Sequence, residues 1–373
     1  MPVRILHCHS TFSLGGKEAR AVRLMNAWGG RATHTILSAM PGRLGAREAI
    51  APGIAADFPS DAPPLAGRPG LARYRELAKY MRGFDLVLTY NWGAMDAVMA
   101  RRLYGGPPLI HHEDGFNDDE AVRQKRRRVL FRRLALPAAR RLVVPSRTLE
   151  RIAGEEWRQP QDRIVRIGNG IDLDALDPLS PPRPAWLRRE PCELLVVTVA
   201  GLRKVKNLPL LVEAVAALNA ATRARLYVLG EGPVRGTIEQ RARELGVADR
   251  VHLPGFVPAP GRVLPLFDIF ALSSLSEQSP ISLAEAMAAG LPAVATDVGD
   301  VAALVAPANR PFVVPPEQLA GALIALADDP SVREAIGAAN RAKALAEFGA
   351  EQMIAAYAEL YGEAIGRADA FRA

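Results

Sequence analysis

The segment DIFALSSLSEQSPISLAEAMAAGLPAVATD, residues 268–297, decides the fold of this chain. Short apolar runs at its two ends predict buried β-strands. Between them, the alanine-rich run from Ile281 to Ala289 predicts a helix, with Pro280 as its first residue and Gly290 followed by Pro292 as its end. A strand, a helix and a second strand in this order predict a right-handed crossover between parallel strands.

The rest of the chain repeats this pattern. Short apolar runs separated by helical stretches are typical of strands that are buried on both faces of a parallel sheet. The candidate strands are VRILHCH, HTILSA, DLVLTY, PLIHHE and RLVVPS in the first half, and ELLVVTVA, RLYVLG, RVHLPGF, DIFALSS and PAVATD in the second. We therefore predict an α/β protein with two Rossmann-like, doubly wound parallel-sheet domains.

The length of 373 residues fits two domains. Between the two sets of strands, the proline-rich segment at residues 172–191 has no periodicity and predicts a linker. We expect an N-terminal domain over residues 1–172 and a C-terminal domain over residues 173–354. A final helix at about residues 355–373 is expected to pack back on the first domain.

The composition is that of a globular protein, with 49% hydrophobic and 23% charged residues. No stretch of about 18 uninterrupted apolar residues occurs in the sequence, so none predicts a membrane span. The N-terminus MPVRILHCHS lacks the long apolar core of a signal peptide. The two cysteines, Cys8 and Cys192, do not suggest a disulfide framework. Together these features predict a cytoplasmic protein.

Positive charge is unevenly distributed. Residues 1–172 contain 28 Lys and Arg against 17 Asp and Glu, whereas the remaining residues contain 19 against 23. The excess is concentrated in AVRQKRRRVLFRRLALPAARR, residues 121–141, where nine basic residues are interleaved with apolar ones. A basic amphipathic helix of this kind predicts contact with an anionic membrane surface, here the inner face of the plasma membrane. A solvated helix face is the alternative, and the scarcity of aromatic residues argues against nucleic acid.

Two acids, Glu277 and Glu285, are separated by seven residues at the predicted loop and helix of the opening segment. Carboxylates accept hydrogen bonds from hydroxyl groups, and the N–H groups of a helix N-terminus attract phosphate. The combination favours a ligand that carries both groups, such as a nucleotide sugar. Ordinary solvent-exposed acids in a first turn are the alternative interpretation.

Other motifs also follow directly after predicted strands, where open parallel sheets bind ligands. Gly15 and Gly16 come after the first strand and before a helix that we predict to begin near Glu18. In the second half, GLRKVKN at residues 201–207 and GEGP at residues 230–233 each follow a strand.

In this order, the motifs resemble those of family 4 retaining glycosyltransferases, whose GT-B fold has two Rossmann-like domains facing across a cleft. SEQSPISLAEAMAAGLP, residues 276–292, resembles the family's E-x7-E segment, and IGNGID, residues 167–172, is similar to its I-x-N-G-I-D at the domain junction. The resemblance extends from Ile5 to about Ala295. It implies transfer of a hexosyl unit, with retention, to a glycan or lipid-linked acceptor in cell-surface polysaccharide or glycolipid assembly.

The resemblance implies that the second domain binds a UDP-sugar or GDP-sugar donor without a metal or another cofactor. Lys206 and Arg203 would neutralise the diphosphate, although Arg203 stands one place later than the arginine of relatives. Glu277 would bind hydroxyls of the transferred sugar. Backbone N–H groups near Gln278 and Ser279 would hold phosphate.

The resemblance also implies contacts to the nucleoside. Glu285 would accept hydrogen bonds from the ribose, while Phe256 and Val257 would contact the base. Gly230 and Gly232 would allow the backbone to approach the nucleotide closely.

In the first, acceptor-binding domain, the resemblance implies that Gly15 and Gly16 allow close approach near the diphosphate and the acceptor. Members of the family have a histidine that contacts the donor sugar, and the corresponding region of this chain contains His111, His112 and Asp114. Because relatives have His-Gly where this chain has Asp114 and Gly115, the residue that faces the sugar stays open among these three.

Three other functions compete with this interpretation. LHCHSTFSLG, residues 6–15, resembles the opening of PHP-type metal phosphoesterases, but His34 and His252 fall in strands without an evident ligand partner. The glycines of residues 230–236, with Asp249 further on, resemble an NAD(P) fingerprint of an oxidoreductase. A non-catalytic sugar- or lipid-binding relative is the third alternative.

Overall fold

The structure is a computed structural model that describes residues 1–13, 15–40, 42–68, 70–116, 120, 123–173, 176 and 183–372. The chain forms two compact units. Unit 1 comprises Met1–Gly170 together with Glu351–Ala373, and unit 2 comprises Ile171–Ala350. The chain therefore passes from one unit to the other at Gly170 and again at Ala350, where the sequence analysis places the changes at residues 172 and 354.

Unit 1 contains a seven-stranded parallel sheet in the order β3-β2-β1-β4-β5-β6-β7. Its strands are β1 (Val3–His9), β2 (Ala32–Ser38), β3 (Ala56–Asp57), β4 (Leu86–Tyr90), β5 (Leu109–His112), β6 (Arg141–Val144) and β7 (Ile164–Arg166). Its helices are α1 (Gly16–Trp28), α2 (Leu71–Met81), α3 (Met95–Tyr104), α4 (Arg126–Ala135) and α5 (Arg147–Glu155).

Unit 2 contains a six-stranded parallel sheet in the order β10-β9-β8-β11-β12-β13. Its strands are β8 (Leu194–Val199), β9 (Ala224–Leu229), β10 (Val251–Gly255), β11 (Ile269–Leu272), β12 (Ala293–Thr296) and β13 (Val313–Val314). Its helices are α6 (Leu208–Leu218), α7 (Arg235–Glu244), α8 (Ile281–Ala288), α9 (Val301–Leu304), α10 (Leu319–Asp328) and α11 (Pro330–Glu347).

Alternation of side chains along each strand fills a core on both faces of each sheet. In unit 1, Leu6 and Cys8 of β1 pack with helices α2 to α5, whereas Val3 and Ile5 pack with α1. Unit 2 is built in the same way, with β8 contributing to a core on either face. Helices on both faces explain why its strands are continuous apolar runs rather than alternating ones.

The last helix, α12 (Ala350–Ala364), contributes to the core of unit 1. Tyr357 and Tyr361 are fully buried there, and the ring of Tyr361 lies 5.4 Å from that of Trp28. The predicted final helix extends to residue 373, but α12 ends at Ala364, ahead of Gly366 with its positive φ of 68°. A left-handed glycine is a common end of a helix.

All ten predicted strands are confirmed, with ends that differ by one or two residues. The three strands that the sequence analysis missed, β3, β7 and β13, are two or three residues long and lie at or near the edges of their sheets. Pro280, predicted as the first helical residue, lies just before α8, and α1 begins at Gly16 rather than near Glu18. The linker at residues 172–191 falls partly outside the described residues.

Candidate active site

Each sheet has one point at which its strand order reverses. In unit 1 this switch point lies between β1 and β4, and in unit 2 it lies between β8 and β11. Open parallel sheets bind ligands at such points, outside the carboxyl ends of the strands, because the loops diverge there and leave a crevice. The predicted motifs after β1, β8 and β11 therefore occupy the positions that a ligand site needs.

In unit 2, Lys206 and Glu277 meet at the switch point. The Lys206 ammonium donates to Glu277 Oε1 over 2.5 Å, and Ser274 Oγ donates to the same oxygen over 2.7 Å. The two charged side chains are 17% and 10% exposed, so the pair is shielded yet reachable. Thr198, Ser273 and Ser274 help to line a small cavity beside it. The structure thus brings two of the predicted site residues into direct contact.

Backbone contacts fix the two loops that carry this pair. Leu275 N donates to Val205 O over 2.8 Å, and Ser273 Oγ donates to Lys206 O over 3.0 Å. Gly299, which the sequence analysis missed, also holds the loop. A Cβ at this position would lie 1.9 Å from the Glu277 carbonyl oxygen, and its φ of 57° disfavours a side chain as well. Only glycine therefore allows the Glu277 loop to sit where it does.

Gly230 and Gly232 have a packing role that their motif did not predict. A Cβ on Gly230 would lie 2.0 Å from the Ala200 carbonyl oxygen, and one on Gly232 would lie 2.4 Å from that of Leu202. Leu202 N donates to Glu231 O over 2.9 Å. These glycines bring the loop after β9 onto the loop after β8, which carries Lys206.

The remaining predicted residues of unit 2 differ in their exposure to solvent. Arg203 is exposed just before the turn Lys204–Lys206. Phe256 follows the end of β10 and is 61% exposed, whereas Val257 packs partly into the core. The three other predicted residues are partly buried in the loop before α8 and on α8 itself, namely Gln278, Ser279 and Glu285.

In unit 1, an arginine that the sequence analysis missed organises the switch point. Arg20 of α1 binds both carboxylate oxygens of Asp114, with Nη2 to Oδ2 at 2.9 Å, and donates to Asn169 Oδ1 over 3.1 Å. Asp114 N donates to Asn91 Oδ1 over 2.7 Å. Gly15 is the N-cap of α1, and Gly16 is its first residue. Because an isolated arginine outside the glycine motif gives no pairing signal, its role could not be predicted.

His111 and His112 are buried, with exposures of 0% and 1%. His112 Nδ1 lies 3.2 Å from Thr89 O, so this nitrogen carries the proton, and Nε2 accepts from the Tyr361 hydroxyl over 2.7 Å. His111 Nδ1 lies 2.8 Å from Thr89 Oγ1. Burial lowers the pKa of His112 well below its usual value. Of the three predicted candidates, Asp114 is the one whose side chain retains surface, 13%.

The histidines of the LHCH motif belong to a buried ring stack. His7 contacts the Tyr90 hydroxyl at 3.2 Å and His34 Nδ1 at 3.0 Å, and His9 stacks on Tyr90 with ring centroids 4.0 Å apart. His34, for which the sequence showed no evident ligand partner, thus contacts His7. Among the residues that the structure describes, no three His, Cys, Asp or Glu side chains are grouped as metal ligands.

The predicted basic helix over residues 121–141 is shorter in the structure. Helix α4 spans Arg126–Ala135, Arg141 already begins β6, and residues 121–122 lie outside the described residues. Not all of its arginines face solvent, because Arg132 is fully buried against Trp157 and pairs with Glu113 over 3.1 Å. A buried carboxylate needs a positively charged partner, which explains why Glu113 pairs with Arg132. This pairing was not evident from the sequence.

Two further observations concern surfaces. In the described part of the chain, no helix is both long enough and apolar enough to cross a membrane. A cavity of about 410 Å³ lies in unit 2 beside β10 and α7, and the residues that line it, Tyr227 and His252 among them, include none of the predicted site residues.

Two family models match the chain: Glycosyltransferase Family 4 over residues 14–175 and Glycosyl transferases group 1 over residues 187–343. The EpsF protein of Bacillus subtilis is 29% identical over 53% of this chain and 53% of its own length, so the match spans about half of that relative. Sucrose-phosphate synthase of Thermosynechococcus elongatus has 20% identity and a TM-score of 0.78 over 97% of this chain and 99% of its own. HepE of Anabaena, solved with UDP, has 16% identity and a TM-score of 0.75 over 96% and 100%.

The two parallel-sheet α/β units and these structural neighbours define the GT-B class of proteins. The predicted fold class is thus confirmed. The chain belongs to glycosyltransferase family 4. This assignment displaces the metal phosphoesterase and oxidoreductase alternatives, each of which depended on one local motif.

Proposed function

We propose that this protein transfers a hexosyl unit from a UDP-sugar or GDP-sugar to a glycan or lipid-linked acceptor, with retention at the anomeric carbon. Unit 2 is the donor-binding domain and unit 1 the acceptor-binding domain in this proposal. The observation that carries it is the pairing of Lys206 with Glu277 at the switch point of unit 2. A fixed cation and a fixed carboxylate side by side suit a ligand in which diphosphate adjoins sugar hydroxyls.

The leaving diphosphate is the group that the protein must stabilise during transfer. Lys206 provides a fixed cation, and Arg203 is an exposed second cation three residues away. In this proposal, backbone N–H groups near Gln278 and Ser279, in the loop before α8, contact phosphate. Such preorganised donors stabilise developing negative charge without reorganisation. In this proposal they take the place of a metal ion, and Glu277 orients the sugar while Glu285 binds the ribose.

A nucleotide is supported by one further feature of unit 2 and by one structural neighbour. Phe256 offers an exposed ring after β10, on which a base can stack, with Val257 beside it. HepE, whose fold this chain shares, was solved in complex with UDP. We therefore take UDP as the first donor nucleotide to test, with GDP as the second.

In this proposal the acceptor-binding unit also contacts a membrane surface. Helix α4 exposes Leu130 and Leu134, at 57% and 56%, four residues apart on one face. Arg126 and Arg127 are exposed one turn earlier. Exposed leucines beside arginines suit an anionic bilayer, because the leucines enter the acyl boundary while the arginines bind headgroups. In this proposal the protein acts in the cytoplasm, on the inner face of the plasma membrane, in the assembly of cell-surface polysaccharide or glycolipid.

The transfer reaction is tested with UDP-glucose, UDP-galactose, UDP-N-acetylglucosamine and GDP-mannose, using octyl glycosides as acceptors in the presence of EDTA. We expect one donor to be consumed, with an α-linked product identified from its anomeric coupling in proton NMR. Lys206→Met should slow transfer by about 100-fold or more, as loss of a transition-state donor does elsewhere. Binding of UDP without turnover of any donor would favour the non-catalytic alternative, and a β-linked product would refute retention.

Membrane contact is tested by sedimentation with phosphatidylglycerol and phosphatidylcholine vesicles. Leu130→Ser combined with Leu134→Ser should reduce binding to the anionic vesicles about tenfold, and added salt should weaken it further. Leu345→Ser, which alters an exposed leucine of unit 2, is the matched control. Equal sedimentation of all three proteins would remove the membrane from the proposal.

A further inference from the structure

The ion pair between Arg20 and Asp114 lies at the switch point of unit 1, where the carboxyl ends of β1 and β4 diverge. Arg20 lies on the helix that follows β1, and Asp114 lies two residues after the end of β5. The pair is bidentate, and Arg20 also donates to Asn169. Asn91, directly after β4, fixes the backbone of Asp114. The guanidinium thereby joins α1 to the loops after β5 and β7, and Asn91 connects the loop after β4 to Asp114.

The two partners differ in how much of them a ligand can reach. Arg20 is 4% exposed and Asp114 is 13% exposed, so the carboxylate is the more accessible partner. The guanidinium carbon is also 5.6 Å from the centre of the Tyr357 ring, which closes another side of it. Burial lowers the pKa of Arg20, but the charge of Asp114 outweighs this and leaves the pKa above its ordinary value.

This arrangement determines which ligand groups can bind at this place. A solvent-facing arginine at a switch point would bind phosphate or carboxylate, but both terminal nitrogens of Arg20 already bind protein oxygens. The nearby Lys17 pairs with Glu18 in the same way. What remains for a ligand is the ionised carboxylate of Asp114, which can only accept hydrogen bonds.

We propose that Arg20 is a positioning residue that presents Asp114 as a hydrogen-bond acceptor for a hydroxyl of a neutral saccharide. The site thus selects an uncharged sugar over one that carries phosphate or carboxylate at this place. The inference rests on the proposed function, since it names the chemistry of the saccharide. The hydroxyl belongs either to the acceptor or to the transferred sugar, and the test distinguishes these sources.

The test uses saturation-transfer NMR with full-length protein. The probes are methyl glycosides of glucose, galactose and mannose, each paired with its 6-phosphate, and separately UDP-glucose against UDP. Wild type should bind at least one neutral glycoside at least fivefold more tightly than its 6-phosphate. Asp114→Asn removes the anion that occupies Arg20, so the preference should shift toward the 6-phosphate by more than tenfold.

The double variant Arg20→Met with Asp114→Asn leaves no buried charge unpaired, and it should fold even if Asp114→Asn does not. It should bind the neutral glycoside about tenfold more weakly than wild type without gaining affinity for the phosphate. The matched control is Asp85→Asn, because Asp85 forms a similar pair with Arg4 at the other end of β1. This control should keep the wild-type preference.

If Asp114 contacts the acceptor, Asp114→Asn weakens the methyl glycosides and leaves UDP-glucose unchanged. If it contacts the transferred sugar, the variant weakens UDP-glucose and leaves UDP unchanged. A wild type that prefers the 6-phosphates overturns the inference, as does an Asp114→Asn variant in which both the preference between the glycosides and the affinity for UDP-glucose are unchanged. GDP is added as a further probe, and failure of both UDP and GDP to bind would overturn the proposed function instead.

Discussion

Replacing Glu277 by Gln should raise the affinity for a nucleoside diphosphate and lower the additional affinity that the sugar of the intact donor provides. In the structure Lys206 is neutralised by Glu277, with their charged atoms 2.5 Å apart. A diphosphate must share Lys206 with this carboxylate and is repelled by it. The sugar of the intact donor, by contrast, gains a charge-assisted hydrogen bond from the same carboxylate in our proposal.

The size of the effect follows from Coulomb's law. A phosphate held by Lys206 would lie roughly 6 Å from the Glu277 carboxylate, which corresponds to about 2.8 kcal/mol of repulsion at an effective dielectric constant of 20. Partial exposure of both side chains reduces this to about 1–2 kcal/mol, or roughly tenfold in the dissociation constant. Loss of the charge-assisted bond to the sugar costs about 1 kcal/mol or more.

The assay is isothermal titration in EDTA with UDP and UDP-glucose, or with GDP and GDP-mannose. Glu277→Gln should bind the free nucleoside diphosphate about tenfold more tightly. The ratio of the affinity for the nucleotide sugar to the affinity for the free diphosphate should fall about tenfold. Glu213→Gln is the matched control, since Glu213 pairs with Arg241 on the surface of the same unit. Weaker binding of the free diphosphate to Glu277→Gln would refute the reasoning, because the carboxylate would then support the phosphate rather than compete with it.

Two further predictions concern stability. Gly230→Ala should lower the free energy of unfolding by about 2–4 kcal/mol in urea titrations, because its Cβ would lie 2.0 Å from the Ala200 carbonyl oxygen. Gly236→Ala, in open space on α7, should instead raise it by about 0.5–1 kcal/mol, and equal effects would contradict this account. Acid should destabilise unit 1, because burial lowers the pKa of His34 to about 4 while the unfolded chain takes up that proton near pH 6.5. Stability is therefore lost as pH falls from about 6.5 to 4, by up to about 1.4 kcal/mol per pH unit, and His34→Leu should show a shallower loss in urea midpoints measured at pH 7.5 and 5.0.

The sequence predicted the fold because each central strand is a short apolar run with a helix on either side of its sheet. Site residues that lie within one local segment could also be predicted from the sequence. Examples are Glu277 in a loop and Glu285 in the helix that follows it. The short strands β3 and β13 were missed because two residues at a sheet edge leave no hydrophobic pattern.

Long-range pairings were beyond the reach of sequence patterns. Arg20 and Asp114 are 94 residues apart, and Arg132 reaches Glu113 from a helix whose basic residues were predicted to contact a membrane surface. Gly299 carries no motif, and its need to be glycine depends on the position of the Glu277 carbonyl. In each case the three-dimensional partner, rather than the neighbouring sequence, determines the role.

A crystal structure of the protein with UDP or GDP, grown in EDTA, tests the central claim most directly. Our account predicts a diphosphate at the switch point of unit 2, with a phosphate oxygen about 2.7–3.2 Å from Lys206 Nζ and the base near Phe256. A nucleotide found instead in the cavity beside β10, or bound only when a divalent metal is added, would contradict it.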